Sequence, residues 1–131
     1  IISKNNNSKI INISSNAAKL SDAGRSAYAP SKSALISFTE VLSKELGNFN
    51  ISVNAIAPGL VKTDMMKNTP QKVLDEALKN TPLKRAAETE DIAKIALFLA
   101  SDTEKPLLTN GIYTFSSAVK SGCQLLRSAN S

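Results

Sequence analysis

The tightest constraint on the fold lies in one continuous segment, residues 10–32, IINISSNAAKLSDAGRSAYAPSK. Ile10, Ile11 and Ile13 form a short β-branched run of the kind that fills a strand buried on both faces. The run ends in two small hydroxyl residues, Ser14 and Ser15, and a loop punctuated by Asp22, Gly24 and Ser26 follows. Tyr28-Ala29-Pro30-Ser31-Lys32 then opens an amphipathic helix, with Pro30 suited to a first turn because its missing N–H has no helical partner there anyway. That helix is expected over residues 30–46. Leu35, Phe38, Leu42 and Leu46 recur at helical spacing to cover a sheet, and Gly47 is placed to cap the end. A buried strand feeding a sheet-covering helix is an α/β arrangement.

On a helix, residues four apart share a face. The Tyr28 hydroxyl and the Lys32 ammonium therefore reach one small volume, and Ser15 is expected at its mouth, where strand ends of open α/β sheets present their ligands. Such a trio suits proton transfer to or from an alcohol or carbonyl oxygen. A tyrosine alone is a poor base, with a reference pKa of about 10. A neighbouring cation favours the phenolate, and a serine can hold the substrate oxygen without ionising. Taken singly, each residue has a plainer reading: Tyr28 as a packed amphipathic side chain, Lys32 as a solvated helix charge, and Ser15 as a helix or turn cap.

Further along, Ile51, Val53 and Ile56 predict a second strand ending at Pro58-Gly59, where a glycine permits close backbone approach to a ligand. Residues 63–81 read as two short helical pieces around Pro70, with Met65 and Met66 either an adaptable apolar wall or ordinary gap-fillers. The helix expected from near Thr89 has Glu90 and Asp91 at its positive end and Ile92, Ile95, Ala96 and Leu99 on one face, which makes it core. At the start, Ile1 and Ile2 followed by SKNNNS read as the last turn of a helix entering a polar loop, so the first residue is expected to fall inside an element.

Composition excludes several classes. The 131 residues have the length of one domain. The net charge of +5 comes from basic residues spread along the chain, without a block and without interleaved aromatics. Nucleic acid is therefore not expected as a partner, and the charge reads as a solvated surface mildly favouring anionic ligands. One cysteine, Cys123, and no histidine leave no internal disulfide and no expected metal site. No apolar run reaches membrane-spanning length and no signal-peptide pattern opens the chain, so a cytoplasmic location and no membrane partner are expected.

A Ser at a strand end, a Tyr thirteen residues on and a Lys four beyond that resemble the catalytic pattern of the short-chain dehydrogenase/reductases, matched by Ser15, Tyr28 and Lys32. That family's S-V-N-x-I-x-P-G strand and following Thr are similar to Ser52-Val53-Asn54-Ala55-Ile56-Ala57-Pro58-Gly59 and Thr63. Pro82-Leu83-Lys84-Arg85, Glu90-Asp91-Ile92-Ala93 and Phe98-Leu99-Ala100-Ser101 resemble the stretch ahead of its last strand, which falls here on residues 109–115. Asn110 departs from the usual glycine, and Ser116-Ser117-Ala118 from the usual acidic residue or serine and two glycines.

The resemblance spans residues 1–117 and leaves 118–131 an unassigned tail. It implies the C-terminal half of a Rossmann-like doubly wound parallel sheet, strands five to seven in the family order 3-2-1-4-5-6-7 with their flanking helices, and the N-terminal half absent. It implies hydride transfer between NAD(H) or NADP(H) and a carbonyl or alcohol substrate. Tyr28 would be the acid/base, Ser15 would polarise the substrate oxygen, and Lys32 would tune Tyr28 and hold the ribose. Pro58, Gly59, Val61 and Thr63 would border the nicotinamide, and residues 63–81 would form a substrate lid.

The family's glycine-rich phosphate turn is not among these residues: Gly24, Gly47, Gly59, Gly111 and Gly122 make no G-x-x-x-G-x-G. The residue that selects NAD or NADP, the Asn-Asn-Ala-Gly stretch and a further catalytic Asn are likewise not found, so the chain by itself is expected to be inactive. Ala57-Pro58-Gly59 with Thr63-Asp64-Met65 is most similar to 3-oxoacyl-acyl-carrier-protein reductases; a hydroxysteroid or sugar-alcohol dehydrogenase is the alternative. Because the helix bearing Tyr28 and Lys32 commonly lies in a subunit interface in this family, a dimer or tetramer is expected when intact. A non-catalytic subunit acting through oligomerisation is the reading from another class.

Overall fold

In the computed structural model, which describes residues 8–20, 23–101, 110–115 and 124–126, the β-branched run forms strand β1 (Lys9–Ile13). Its two sheet-covering helices and its neighbouring strand follow from the patterns downstream. Helix α1 (Tyr28–Leu46) leads to strand β2 (Ser52–Pro58), then come helices α2 (Gln71–Lys79) and α3 (Thr89–Ala100), and strands β3 (Asn110–Phe115) and β4 (Gln124–Leu126). The four strands make one sheet in the order β1-β2-β3-β4. β1 and β2 run parallel with Ile10 opposite Val53 and Ile13 opposite Ile56, and β2 and β3 run parallel with Val53 opposite Asn110 and Pro58 opposite Phe115. β4 runs antiparallel to β3, with Thr114 opposite Gln124.

The strand buried on both faces is β2, where Val53, Ala55, Ile56 and Ala57 are all 0% exposed. The expectation that Ile10, Ile11 and Ile13 would be so buried is corrected. Ile10 and Ile11 are half-buried and Ile13 is 47% exposed, because no strand among the described residues pairs with the other edge of β1.

Successive strand residues face opposite sides of a sheet. Ile11 packs with Ile56 and Leu99 against the apolar stripe Ile92, Ile95 and Ala96 of α3, while the adjacent Asn12 donates its side-chain N–H to Thr39 of α1 at 2.9 Å. α1 and α3 therefore cover opposite faces. The predicted α3 stripe is the core found. The α1 prediction needs two corrections. The helix starts at Tyr28, two residues early, with Pro30 third, still among the first four positions whose N–H lacks a helical acceptor. Its buried residues are Ile36, Thr39 and Ser43, whereas Phe38 is 54% exposed. Small and polar side chains let the helix lie close against β1 and β2, and the bulkier apolar ones are displaced to its flanks and outer face.

Gly47 does not take the left-handed cap. The chain continues into a 3-10 turn (Gly47–Phe49), and Asn50 adopts φ 58 instead, a conformation asparagine tolerates better than most residues. The predicted loop after Ser15 begins with a 3-10 turn (Asn16–Lys19), and residues 63–81 form two helical pieces, a 3-10 turn (Asp64–Asn68) and α2, on either side of Pro70. Within residues 118–131, to which the resemblance assigns nothing, Gln124–Leu126 forms β4. The expectations for residues 1–7 and for Ser116-Ser117-Ala118 lie outside the described residues.

Candidate active site

β1 stops where Ser14 leaves the ladder, and the two serines then turn to different tasks. Ser14, 4% exposed, donates its backbone N–H to the Ile56 carbonyl at 2.7 Å and its hydroxyl to the Lys32 carbonyl at 2.8 Å. Ser15 is the N-cap of the 3-10 turn, its Oγ accepting the Ala17 N–H at 3.2 Å. The plain cap reading of Ser15 is therefore met, and it leaves the chemistry open: a hydroxyl that accepts one hydrogen bond keeps its own proton to donate.

Across from them, the first turns of α1 carry Tyr28 and Lys32. The Lys32 ammonium lies 5.7 Å from the Tyr28 ring centroid, within cation–π range, and donates to the Ile13 carbonyl at 3.0 Å. One ammonium has three donors, so Lys32 can serve that carbonyl and still reach hydroxyls of a ligand. Ser33, next in the helix, ties the same region down by donating to the Ala18 carbonyl at 2.6 Å. The end of β1 and the start of α1 are thus tied together at Lys32, with Ser15 on the turn that follows β1. Tyr28 is 49% exposed, open to a ligand arriving at the carboxyl ends of the strands.

The residues expected at the nicotinamide leave the neighbouring strand at that same sheet end, since β1 and β2 are parallel. Pro58 closes β2 and Gly59 follows, half-buried. Val61 pairs with Ala87, and this bridge is carried by the Ala87 N–H to the Leu60 carbonyl and the Lys62 N–H to the Ala87 carbonyl, both 2.9 Å. Thr63 is exposed and is the N-cap of the 3-10 turn Asp64–Asn68. Beside it an open depression of about 680 Å³ is lined by Lys62, Thr63, Asp64, Met66, Lys67 and Thr89. Ser15, Tyr28 and Lys32 do not line that depression. Met65 is 86% exposed, so neither the wall nor the gap-filler role is filled by its contacts here.

Two features went unread in the sequence. Ser14, noted only as a strand end, holds Lys32 through the helix backbone. Glu88, not a usual N-cap, accepts from the N3 backbone while Asp91 accepts the Glu88 N–H at 3.0 Å, a capping box at the start of α3, and Glu88 also pairs with Lys62. The acidic residue three after another acidic one at a helix start was the available signal. Among the described residues no group of three His, Cys, Asp or Glu converges, and no helix is long and apolar enough to cross a membrane.

The chain belongs to the short-chain dehydrogenase/reductase family: the family's profile described as enoyl-(acyl carrier protein) reductase matches residues 2–113. Among curated relatives, the 3-oxoacyl-acyl-carrier-protein reductase of Chlamydia pneumoniae is 42% identical over 111 residues, covering 81% of this chain and 45% of that protein. The (3R)-3-hydroxyacyl-CoA dehydrogenase of Homo sapiens is 36% identical over 102 residues, covering 78% and 39%. A crystal structure of 3-oxoacyl-acyl-carrier-protein reductase from Brucella melitensis superposes with a TM-score of 0.78 at 33% identity, covering 87% of this chain and 42% of that one. The chain thus spans less than half the length of the relatives it matches.

Proposed function

We propose that these residues are the catalytic segment of an NADP(H)- or NAD(H)-dependent reductase acting on a 3-oxoacyl thioester carried by acyl carrier protein, with β1, β2 and β3 as strands five, six and seven of the family sheet. The observation that carries the reading is the Lys32 ammonium held between the Tyr28 ring and the Ile13 carbonyl, at the end of the strand that Ser15 follows. Its donor chemistry fits a nicotinamide ribose, because hydroxyls are what an ammonium with donors to spare would bind.

When bound, the nicotinamide supplies the hydride. The protein's own part is to hold the substrate oxygen and move a proton. The Ser15 hydroxyl donates to the carbonyl oxygen while its lone pair stays on the Ala17 N–H. As negative charge develops on that oxygen, the Tyr28 hydroxyl delivers the proton, and Lys32 stabilises the phenolate left behind. Pro58, Gly59, Val61 and Thr63 would border the nicotinamide side, and residues 63–81, which lie within the excursion whose base is pinned by the hydrogen bonds between Leu60, Lys62 and Ala87, would close over the acyl chain as the lid.

The exposed Phe38 and Val41 on α1, one turn apart, support a homo-oligomer formed through this helix, and the reading goes with a cytoplasmic location. The test joins these residues to the N-terminal portion of a related 3-oxoacyl-acyl-carrier-protein reductase and follows NADPH and NADH consumption with 3-oxoacyl thioesters, a ketosteroid and a sugar ketone. Thioester-dependent oxidation is expected. Turnover of the steroid or sugar alone would move the substrate assignment to those dehydrogenases, and a stable oligomer with no turnover would favour the non-catalytic subunit.

A further inference from the structure

We infer that Ser14 is a positioning residue for the Tyr28/Lys32 pair, an inference that rests on the catalytic reading above and extends it to a residue that reading does not use. Lys32 is anchored at both ends to adjacent residues of one strand end: its backbone carbonyl accepts the Ser14 hydroxyl at 2.8 Å, and its ammonium donates to the Ile13 carbonyl at 3.0 Å. Ser14 itself has little freedom. It is 4% exposed and its N–H is fixed to the Ile56 carbonyl of the central strand at 2.7 Å. The chain of bonds therefore runs from β2 through Ser14 to the Lys32 main chain, and returns from the Lys32 side chain to Ile13.

A helical carbonyl already accepts from the residue four ahead, so the Ser14 hydroxyl is a second, lateral bond that sets where α1 stands against β1 rather than whether α1 forms. Shifting α1 along or away from β1 moves the Lys32 ammonium off the Ile13 carbonyl and carries Tyr28 and Lys32, both borne by α1, as a unit away from the end of β1. Removal of the hydroxyl thus loosens the pair without touching any group that meets substrate. Turnover is sensitive to such displacement, about 10²-fold for an ångström, and a partial loosening corresponds to about a tenfold loss.

The test has two arms. In the 131-residue chain, amine acylation is measured by mass spectrometry at Lys32 with exposed Lys44 as internal reference, for Ser14→Ala, Ser14→Cys and Ser14→Thr. Ala and Cys are expected to raise Lys32 labelling several-fold relative to Lys44, and Thr, which keeps the hydroxyl, to restore it. Cys, near-isosteric and a weak donor, decides if the Ala variant aggregates. In the domain completed as above, Ser14→Ala is expected to lower kcat about tenfold with KM within about twofold, and Thr to recover most of it. Unchanged Lys32 labelling and unchanged kcat in Ala and Cys, alongside a Tyr28→Phe variant that is dead, would overturn the positioning role alone. A fully active Tyr28→Phe would instead overturn the catalytic reading, whatever Ser14 does.

Discussion

Replacing Tyr28 by Phe separates chemistry from structure cleanly, because of how the side chain is held. About half of it is exposed, and its contact with the Lys32 ammonium is made by the ring face, 5.7 Å from the centroid, which Phe preserves. Among the described residues no hydrogen bond is made by its hydroxyl. The stability cost should accordingly lie within the roughly 0.5 kcal/mol usual for surface substitutions, a shift of about 2 °C or less in Tm for a chain of this size. The catalytic cost is of another order. Loss of a positioned acid/base is worth about 10²–10⁴ in rate, or about 3–5 kcal/mol in the barrier. The assay pairs a thermal melt with thioester-dependent NADPH oxidation in the completed domain. The expected result is an unshifted melt with turnover down at least a hundredfold and cofactor affinity nearly unchanged. Near-normal turnover would remove Tyr28 from the mechanism, and a parallel collapse of melt and turnover would show that it is a packing residue.

Three further outcomes follow from the packing and the caps. Leu99→Ala empties the centre of the cluster formed with Ile56 and Ile11 and should cost about 2–5 kcal/mol in urea denaturation; a loss below about 1 kcal/mol would mean that α3 is not docked as described. Lys84 holds φ 53, a left-handed conformation costing a non-glycine residue about 1–2 kcal/mol, so Lys84→Gly should stabilise by roughly 0.5–1 kcal/mol once glycine's greater unfolded-state freedom is subtracted, and a lowered Tm would contradict the turn. The Glu90 carboxyl is held below the usual carboxylate range, chiefly by its own backbone N–H and then by the Thr89 hydroxyl. The folded state therefore prefers its ionised form, a contribution present above the ordinary glutamate range and lost as pH falls through the depressed value. Glu90→Gln should flatten the acid limb of stability, and an identical acid limb in the variant would argue against it.

How far the sequence could be read depended on whether a signal was local. β2 and the α3 stripe were legible because burial on two faces, or on one helical face, writes itself into residue type at fixed spacing. The Tyr28/Lys32 pair was legible for the same reason. β1 was misjudged because its isoleucines specify a strand fit for burial but cannot say whether a neighbour covers its far edge. On α1 the apolar periodicity pointed to Leu35, Phe38, Leu42 and Leu46, yet the sheet-facing positions are Ile36, Thr39 and Ser43; a helix with apolar residues around much of its circumference does not declare its inner face. The helix end went to Asn50 rather than Gly47 because both residues permit the left-handed turn, and the intervening 3-10 turn decided between them. Ser14 was invisible as a functional residue, since its partner is a backbone carbonyl and carries no side-chain signature.

These outcomes meet in one physical point about where the proposed chemistry sits. Ser15, Tyr28 and Lys32 are organised around the end of β1, which is less buried than β2, the strand beside it. Apolar burial is strong but non-directional and would leave α1 able to slide on such a surface. Hydrogen bonds are weaker net but demand distance and angle. β1 and the turn after it meet α1 through a row of them: Asn12 to Thr39, Ser14 to the Lys32 carbonyl, Lys32 to the Ile13 carbonyl, and Ser33 to the Ala18 carbonyl. Small polar side chains at this interface give up some burial energy in return for a fixed register. For the proposed chemistry, a proton donor and a cation held in line with a strand end need register more than depth, and the polar seam that fixes α1 on β1 supplies that register.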